Sequence, residues 1–134
     1  MARTFINRSP DYKDLDLDFF RAKTSNDVSM KVGEEAIKRS VRNLVMTNYY
    51  DRPFRPNVGG HVRKLLFDNV TPLTAGFIKD AISEVINNYE PRVKVTDVNV
   101  NMDPDRNGFN VLIQYIILNR QQPVTANFFL ERIR

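Results

Sequence analysis

The spacing of apolar residues changes character twice along this chain. From Asp11 to Phe20 acidic and apolar residues alternate (Asp11-Tyr12-Lys13-Asp14-Leu15-Asp16-Leu17-Asp18-Phe19-Phe20), a period of two that suits either a short half-buried strand or an extended arm on a partner's surface. Arg21 to Ser29 is polar and reads as a loop. From Gly33 the spacing becomes three and four. Ile37, Val41, Leu44 and Val45 share one side, and Glu34, Glu35, Lys38, Arg39 and Arg42 occupy the other, with acidic residues leading. That arrangement predicts a helix over 33–47, oriented as the helix dipole favours.

Residues 48–60 cannot extend it, because Pro53 and Pro56 each remove a backbone donor and Gly59-Gly60 frees the backbone for a turn. A short helix over 61–68 follows, with Val62, Leu65 and Leu66 inward. Thr71-Pro72 is a helix start, an N-cap followed by a first-turn proline. Behind it Leu73, Phe77, Ile78, Ala81, Ile82, Val85, Ile86 and Tyr89 make one apolar face, which predicts the main helix, ending near Tyr89. After Pro91 the period returns to two. Val93 and Val95 share a parity that Val98 and Val100 break, which predicts a bulge near Asp97. Asp103 to Gly108 has the composition of a turn, and Phe109 to Leu118 is apolar on both parities, as a central strand would be. Residues 119–123 connect to a last strand whose inward residues are Val124, Ala126, Phe128 and Leu130. The predicted fold is α+β, with N-terminal helices packed on an antiparallel sheet formed by the C-terminal half. Residues 1–30 read as a partly extended arm and residues 31–134 as a single domain.

Composition narrows the chemistry. The 134 residues, 42% hydrophobic and 27% charged, suit one globular domain and exclude a disordered chain. There is no cysteine, which removes disulfides, thiolate metal sites and cysteine nucleophiles together, and one histidine, His61, leaves no imidazole cluster for a metal. No apolar run nears the roughly 18 residues of a membrane span, and the N-terminus lacks an apolar signal segment. A soluble product of a reducing compartment is therefore expected. Twenty basic against sixteen acidic residues leave a net charge of +4, which permits an acidic partner without signalling nucleic acid.

Catalysis has little to draw on. Glu90, Asp97, Asp103 and Asp105 supply carboxylates. But Arg92 beside Glu90 would lower its pKa, the wrong direction for a general acid, and the Asp-rich segment is a turn. Gly59-Gly60 lacks the lysine and spacing of a phosphate-binding loop. Tyr49, Tyr50, Arg52, Phe54, Arg55, Arg63 and Lys64 interleave aromatic and basic residues, a composition shared by nucleic-acid binders and protein–protein hot spots, and the modest net charge favours the protein partner. Two features weigh more. At the end of the main helix, Pro91 fixes the exit, and Glu90 and Arg92 on either side of it could hold each other, grip another protein, or form an incidental surface pair. The last strand has no charged residue between Arg120 and Glu131. If it is an edge, its backbone invites a partner strand; if another strand covers it, it does not.

In their order, helix 33–47, Tyr50-Asp51-Arg52-Pro53-Phe54-Arg55-Pro56-Asn57-Val58-Gly59, Leu66-Phe67-Asp68-Asn69-Val70-Thr71-Pro72-Leu73-Thr74-Ala75 and Asn88-Tyr89-Glu90-Pro91-Arg92 resemble the baseplate wedge family of contractile-tailed phages. This is the small "lysozyme-like" wedge subunit or sheath initiator, with relatives in type VI secretion baseplates. The resemblance spans 31–133; the segment before Lys31 lies outside it. It implies a structural part of a sixfold baseplate, without enzymatic activity, cofactor or metal. It also implies that Glu90, Pro91 and Arg92 dock on the helical core bundle of the large wedge proteins, so that Arg92→Ala would abolish docking and leave the domain folded. Val124, Thr125, Ala126, Asn127, Phe128, Phe129 and Leu130 would accept extended arms of the tail sheath protein by strand addition. Arg52, Pro53, Phe54, Pro56 and Gly59 would form a structural loop. The implied location is the tail baseplate, reached from the host cytoplasm, near tube-proximal baseplate proteins and without nucleic-acid or membrane partners. The rival readings are a peptidoglycan-degrading tail enzyme and a nucleic-acid-binding module.

Overall fold

The computed structural model describes residues 12–23, 27–118, 120 and 122–133, and the chain divides between Lys38 and Arg39 into two units. Asp11, the loop residues 24–26 and residues 119 and 121 of the last connection lie outside the described residues.

In the first unit, β1 (Lys13–Leu15) pairs antiparallel with β2 (Met30–Val32), a strand that the apolar spacing gave no sign of. An Arg21–Val28 bridge continues the ribbon. The alternation predicts apolar residues inward, and the ribbon does the reverse. Asp16 is buried, accepting from the Ser29 hydroxyl at 2.9 Å and lying 3.8 Å from Lys31 Nζ, while Leu15, Leu17, Phe19, Phe20 and Met30 are exposed. A buried carboxylate with a hydroxyl donor and a nearby cation is satisfied, so its burial is tolerated.

Helix α1 (Glu34–Met46) runs across the division, and its buried stripe is Ala36, Ile37, Val41, Leu44 and Val45. Glu34 and Glu35 lead as expected; the basic residues sit mid-helix, and the last turn has none. In the second unit α2 (Val62–Leu65) is shorter than predicted, and α3 (Pro72–Tyr89) has the predicted ends. Thr71, in extended conformation, caps α3 by accepting from the Thr74 amide at 3.2 Å. The buried face of α3 consists of Thr74, Ala75, Ile78, Ile82, Val85 and Ile86. Leu73 and Phe77, expected inward, are exposed. At 100° per residue they fall outside the arc that the isoleucines define.

The sheet is antiparallel in the order β3 (Val93–Asp103), β4 (Gly108–Ile117), β5 (Pro123–Glu131). The parity break is a bulge: Val95 pairs with Tyr115 and Asp97 with Gln114, leaving Thr96 as the extra residue. The bulge returns Val98 to the face that Val93 began, opposite Ile113 and, one strand further, Ala126. All four are buried, as are Phe109 and its cross-strand partner Leu130. β4 is central, as its two-sided apolar character predicts, and α3 lies along β3. The observed class is α+β.

Candidate docking surfaces

The exit of α3 is held by a three-residue network. Glu90 is buried, and Arg92 grips it with two bonds, Nε to Oε1 at 2.6 Å and Nη2 to Oε2 at 2.8 Å. Ser40 on α1 donates its hydroxyl to Glu90 Oε2 at 2.5 Å and receives Arg92 Nη2 at 3.0 Å. Burial pushes the Glu90 carboxyl up, but the hydrogen bonds from Arg92 and Ser40 and the Arg92 charge outweigh it, so the net displacement is downward and the group stays ionised. Of the three readings of this corner, the two charges hold each other, and the exposed member of the triplet is Pro91. Arg92→Ala therefore cannot leave the domain untouched, because it would strip a buried carboxylate of its cation. Sequence reasoning missed Ser40, whose contact with Glu90 spans fifty positions.

β5 is the outer strand of the sheet, paired with β4 alone among the described residues. Pro123 to Leu130 carries no charge, and Thr125 and Asn127 are exposed. The opposite edge is guarded: β3 carries Lys94, Asp97 and Asp103, contains the bulge and is flanked by α3. Of the readings open for the last strand, the described residues make it an edge.

The loop between α1 and α2 is cinched at its base. Gly60 donates its amide to Thr47 O at 3.0 Å, Tyr50 donates to Pro56 O at 2.9 Å, and the Tyr89 hydroxyl on α3 donates to Asn57 O at 2.5 Å. Gly59 adopts φ +151°, and a Cβ there would stand 2.5 Å from Asn48 O and 2.7 Å from Tyr49 N, so only glycine fits. Arg52, Pro53, Phe54 and Pro56 are exposed on this loop. Arg52 and Arg55 also border a cleft of about 370 Å³ that reaches Ser40 and Glu90. On the α2 side the loop walls a larger groove of about 830 Å³, where the Tyr49 and His61 rings meet at 4.8 Å, tilted by 59°. Partial burial, then the neighbouring Tyr89 and Glu84, push the Tyr49 phenol up, so it remains a neutral donor at physiological pH.

The carboxylates considered for catalysis do not converge. Asp103 caps the β3–β4 turn, accepting from the Arg106 amide at 3.2 Å and Asn110 Nδ2 at 3.1 Å, while Asp97 stands 3.9 Å from Lys79. Among the described residues no group of three or more His, Asp or Glu could hold a metal ion.

A family model described as baseplate wedge protein gp25 matches residues 31–122. The baseplate wedge protein gp25 of Enterobacteria phage T4 is 37% identical over 89 residues, 66% of this chain and 67% of that protein. Among solved structures, a proposed tail lysozyme of Geobacter sulfurreducens superposes with a TM-score of 0.69 at 20% identity, covering 75% of this chain and 92% of that one. A chain of the anti-feeding prophage baseplate superposes with a TM-score of 0.62 at 22% identity, covering 92% and 88%. At those identities the two structures speak for the fold alone.

Proposed function

Because the chain belongs to the baseplate wedge protein gp25 family, and so is a structural component of the baseplate of a contractile phage tail, we propose that it works as a two-sided joint. One side is the α3 exit, which docks on the helical core bundle of the large wedge proteins. The other is β5, which templates the first ring of tail sheath protein by strand addition. The observation that carries this reading is the asymmetry of the sheet: one edge is bulged, charged and flanked by a helix, and the other is uncharged from Pro123 to Leu130 and has no second strand partner among the described residues. Assembly of such a joint takes place in the host cytoplasm, next to tube-proximal baseplate proteins, and calls for no cofactor, nucleic acid or membrane.

At the docking corner the Glu90–Arg92–Ser40 network acts indirectly. It fixes the direction in which the chain leaves α3 and so presents Pro91 at a set angle. Pro91→Glu adds a charge at the exposed position of this corner. It is expected to weaken capture by the large wedge proteins while the free protein stays folded, at a cost of about 1 kcal/mol or less from the released φ, and undiminished capture would overturn the docking role.

The strand-addition role is read by proline substitution. In an antiparallel edge strand, alternate amides point outward, so of Thr125→Pro and Ala126→Pro one removes a donor that β4 uses and the other a donor held out for a partner. The first variant should lose stability. The second should stay folded, enter baseplates and fail to start sheath polymerisation. Sheaths of normal length on a folded variant of each kind would sink the proposal. Glu90, Asp97 and Asp103 are engaged locally, by Arg92 and Ser40, by Lys79 and by the β3–β4 turn, so the peptidoglycan-degrading alternative draws no support from the geometry.

A further inference from the structure

The segment from Asn48 to Phe67 holds four cations, Arg52, Arg55, Arg63 and Lys64, against one carboxylate, Asp51, so it accounts for most of the chain's net charge of +4. All four cations are exposed, and none of their side chains has a hydrogen bond or ion pair among the described residues. Asp51 is already occupied, accepting from the Asn48 amide at 2.8 Å. The same segment exposes large aromatic surface: Tyr50 is 83%, Phe54 96% and Phe67 55% accessible. Tyr50 holds φ +69°, an unfavourable conformation for a bulky residue, and it lines the groove between the loop and α2. Arg63 and Lys64 line that groove together with Tyr50 and Phe67, and no carboxylate does. Glu84, near the Tyr49 phenol, lies outside it.

We infer that this groove docks an acidic segment of a protein partner, one that sets an aromatic or leucine side chain between its carboxylates. Unpaired cations around an aromatic floor are complementary to that chemistry: the apolar anchor covers Tyr50 and Phe67, and the carboxylates meet Arg63 and Lys64. Arg52 and Arg55 extend the same field along the loop and raise the encounter rate. A nucleic-acid strand fits less well. Tyr49 is already engaged by His61, and two lining cations are few for a phosphate backbone. The inference is independent of β5 and of the Pro91 corner, so it can fail while the joint stands.

The test uses the full chain and a fluorescein-labelled peptide in which Asp and Glu alternate with Leu and Phe, followed by fluorescence polarisation. Saturable binding is expected, weakening about tenfold or more between roughly 50 and 300 mM salt, since the charges are exposed. Arg63→Glu with Lys64→Glu should weaken binding by about tenfold or more, and Phe67→Ser by a similar factor. Arg63→Gln with Lys64→Gln, which removes the same two lining charges without reversing them, is the second charge variant in case α2 does not tolerate the first. Lys94→Glu on β3 should leave binding unchanged. A peptide with lysine in place of its acidic residues should not bind. Unchanged affinity in both charge variants, no saturable binding of the acidic peptide, or tighter binding of a single-stranded oligonucleotide at physiological salt would each overturn the assignment.

Discussion

At the scale of single residues, the corner at the end of α3 turns a surface motif into an internal one. Glu90 is 4% exposed and its carboxylate is met by Arg92 and Ser40. Arg92→Ala should therefore cost about 2–4 kcal/mol of stability, read from a denaturant melt, because it leaves a buried charge with one hydroxyl partner. The same network gives a pH dependence of known sign. The folded-state pKa of Glu90 lies below its unfolded value, so its stabilisation is complete above the unfolded pKa of about 4.3 and is lost as pH falls through the lower folded value. Arg92→Ala should shrink that acid-labile share of stability. If the variant melts like the wild type across this range, the network contributes nothing. The motif itself is visible in the sequence as Glu-Pro-Arg, but its inward direction is not, because its third partner comes from another helix. Asp16 illustrates the same limit: alternation marks it as outward, and a serine thirteen positions on brings it in.

At the scale of elements, what could be read in advance is what local chemistry decides. Thr71-Pro72 starts α3 because a hydroxyl cap and a fixed φ act within one turn. The bulge at Thr96 is legible because valine parity slips across it, and each strand must keep one face inward. The turn at 103–108 and the central place of β4 follow in the same way. The misreadings have a common cause. Leu73 and Phe77 are apolar and helical, so the pattern assigns them inward, yet α3 buries a narrower arc than its composition offers. The β1–β2 ribbon likewise leaves its leucines and phenylalanines uncovered. Apolar character says that a residue would gain from burial; it does not say whether this chain or another provides it. Whether β5 was an edge or an interior strand was undecidable from its residues, since strand order is a property of the assembled sheet.

At the scale of the whole molecule, charge and shape divide the labour. The 48–67 segment carries an excess of cations, the stretch from Pro123 to Leu130 carries no charge, and Asp103 and Asp97 are engaged locally, in the β3–β4 turn and by Lys79. A domain so arranged should bind and not cleave: incubated with bacterial cell walls, the purified protein is expected to leave turbidity constant, and clearing of the suspension would restore the enzymatic alternative. The open border of β5 also has a mechanical side. The hydrogen bonds of an antiparallel ladder run across the strands. A foreign strand laid on β5 and tugged lengthwise would load every rung at once, whereas one lifted at its tip would part rung by rung. A link made there would resist traction in one direction and come undone in another, and the choice between them would be set by the angle at which the attached chain departs.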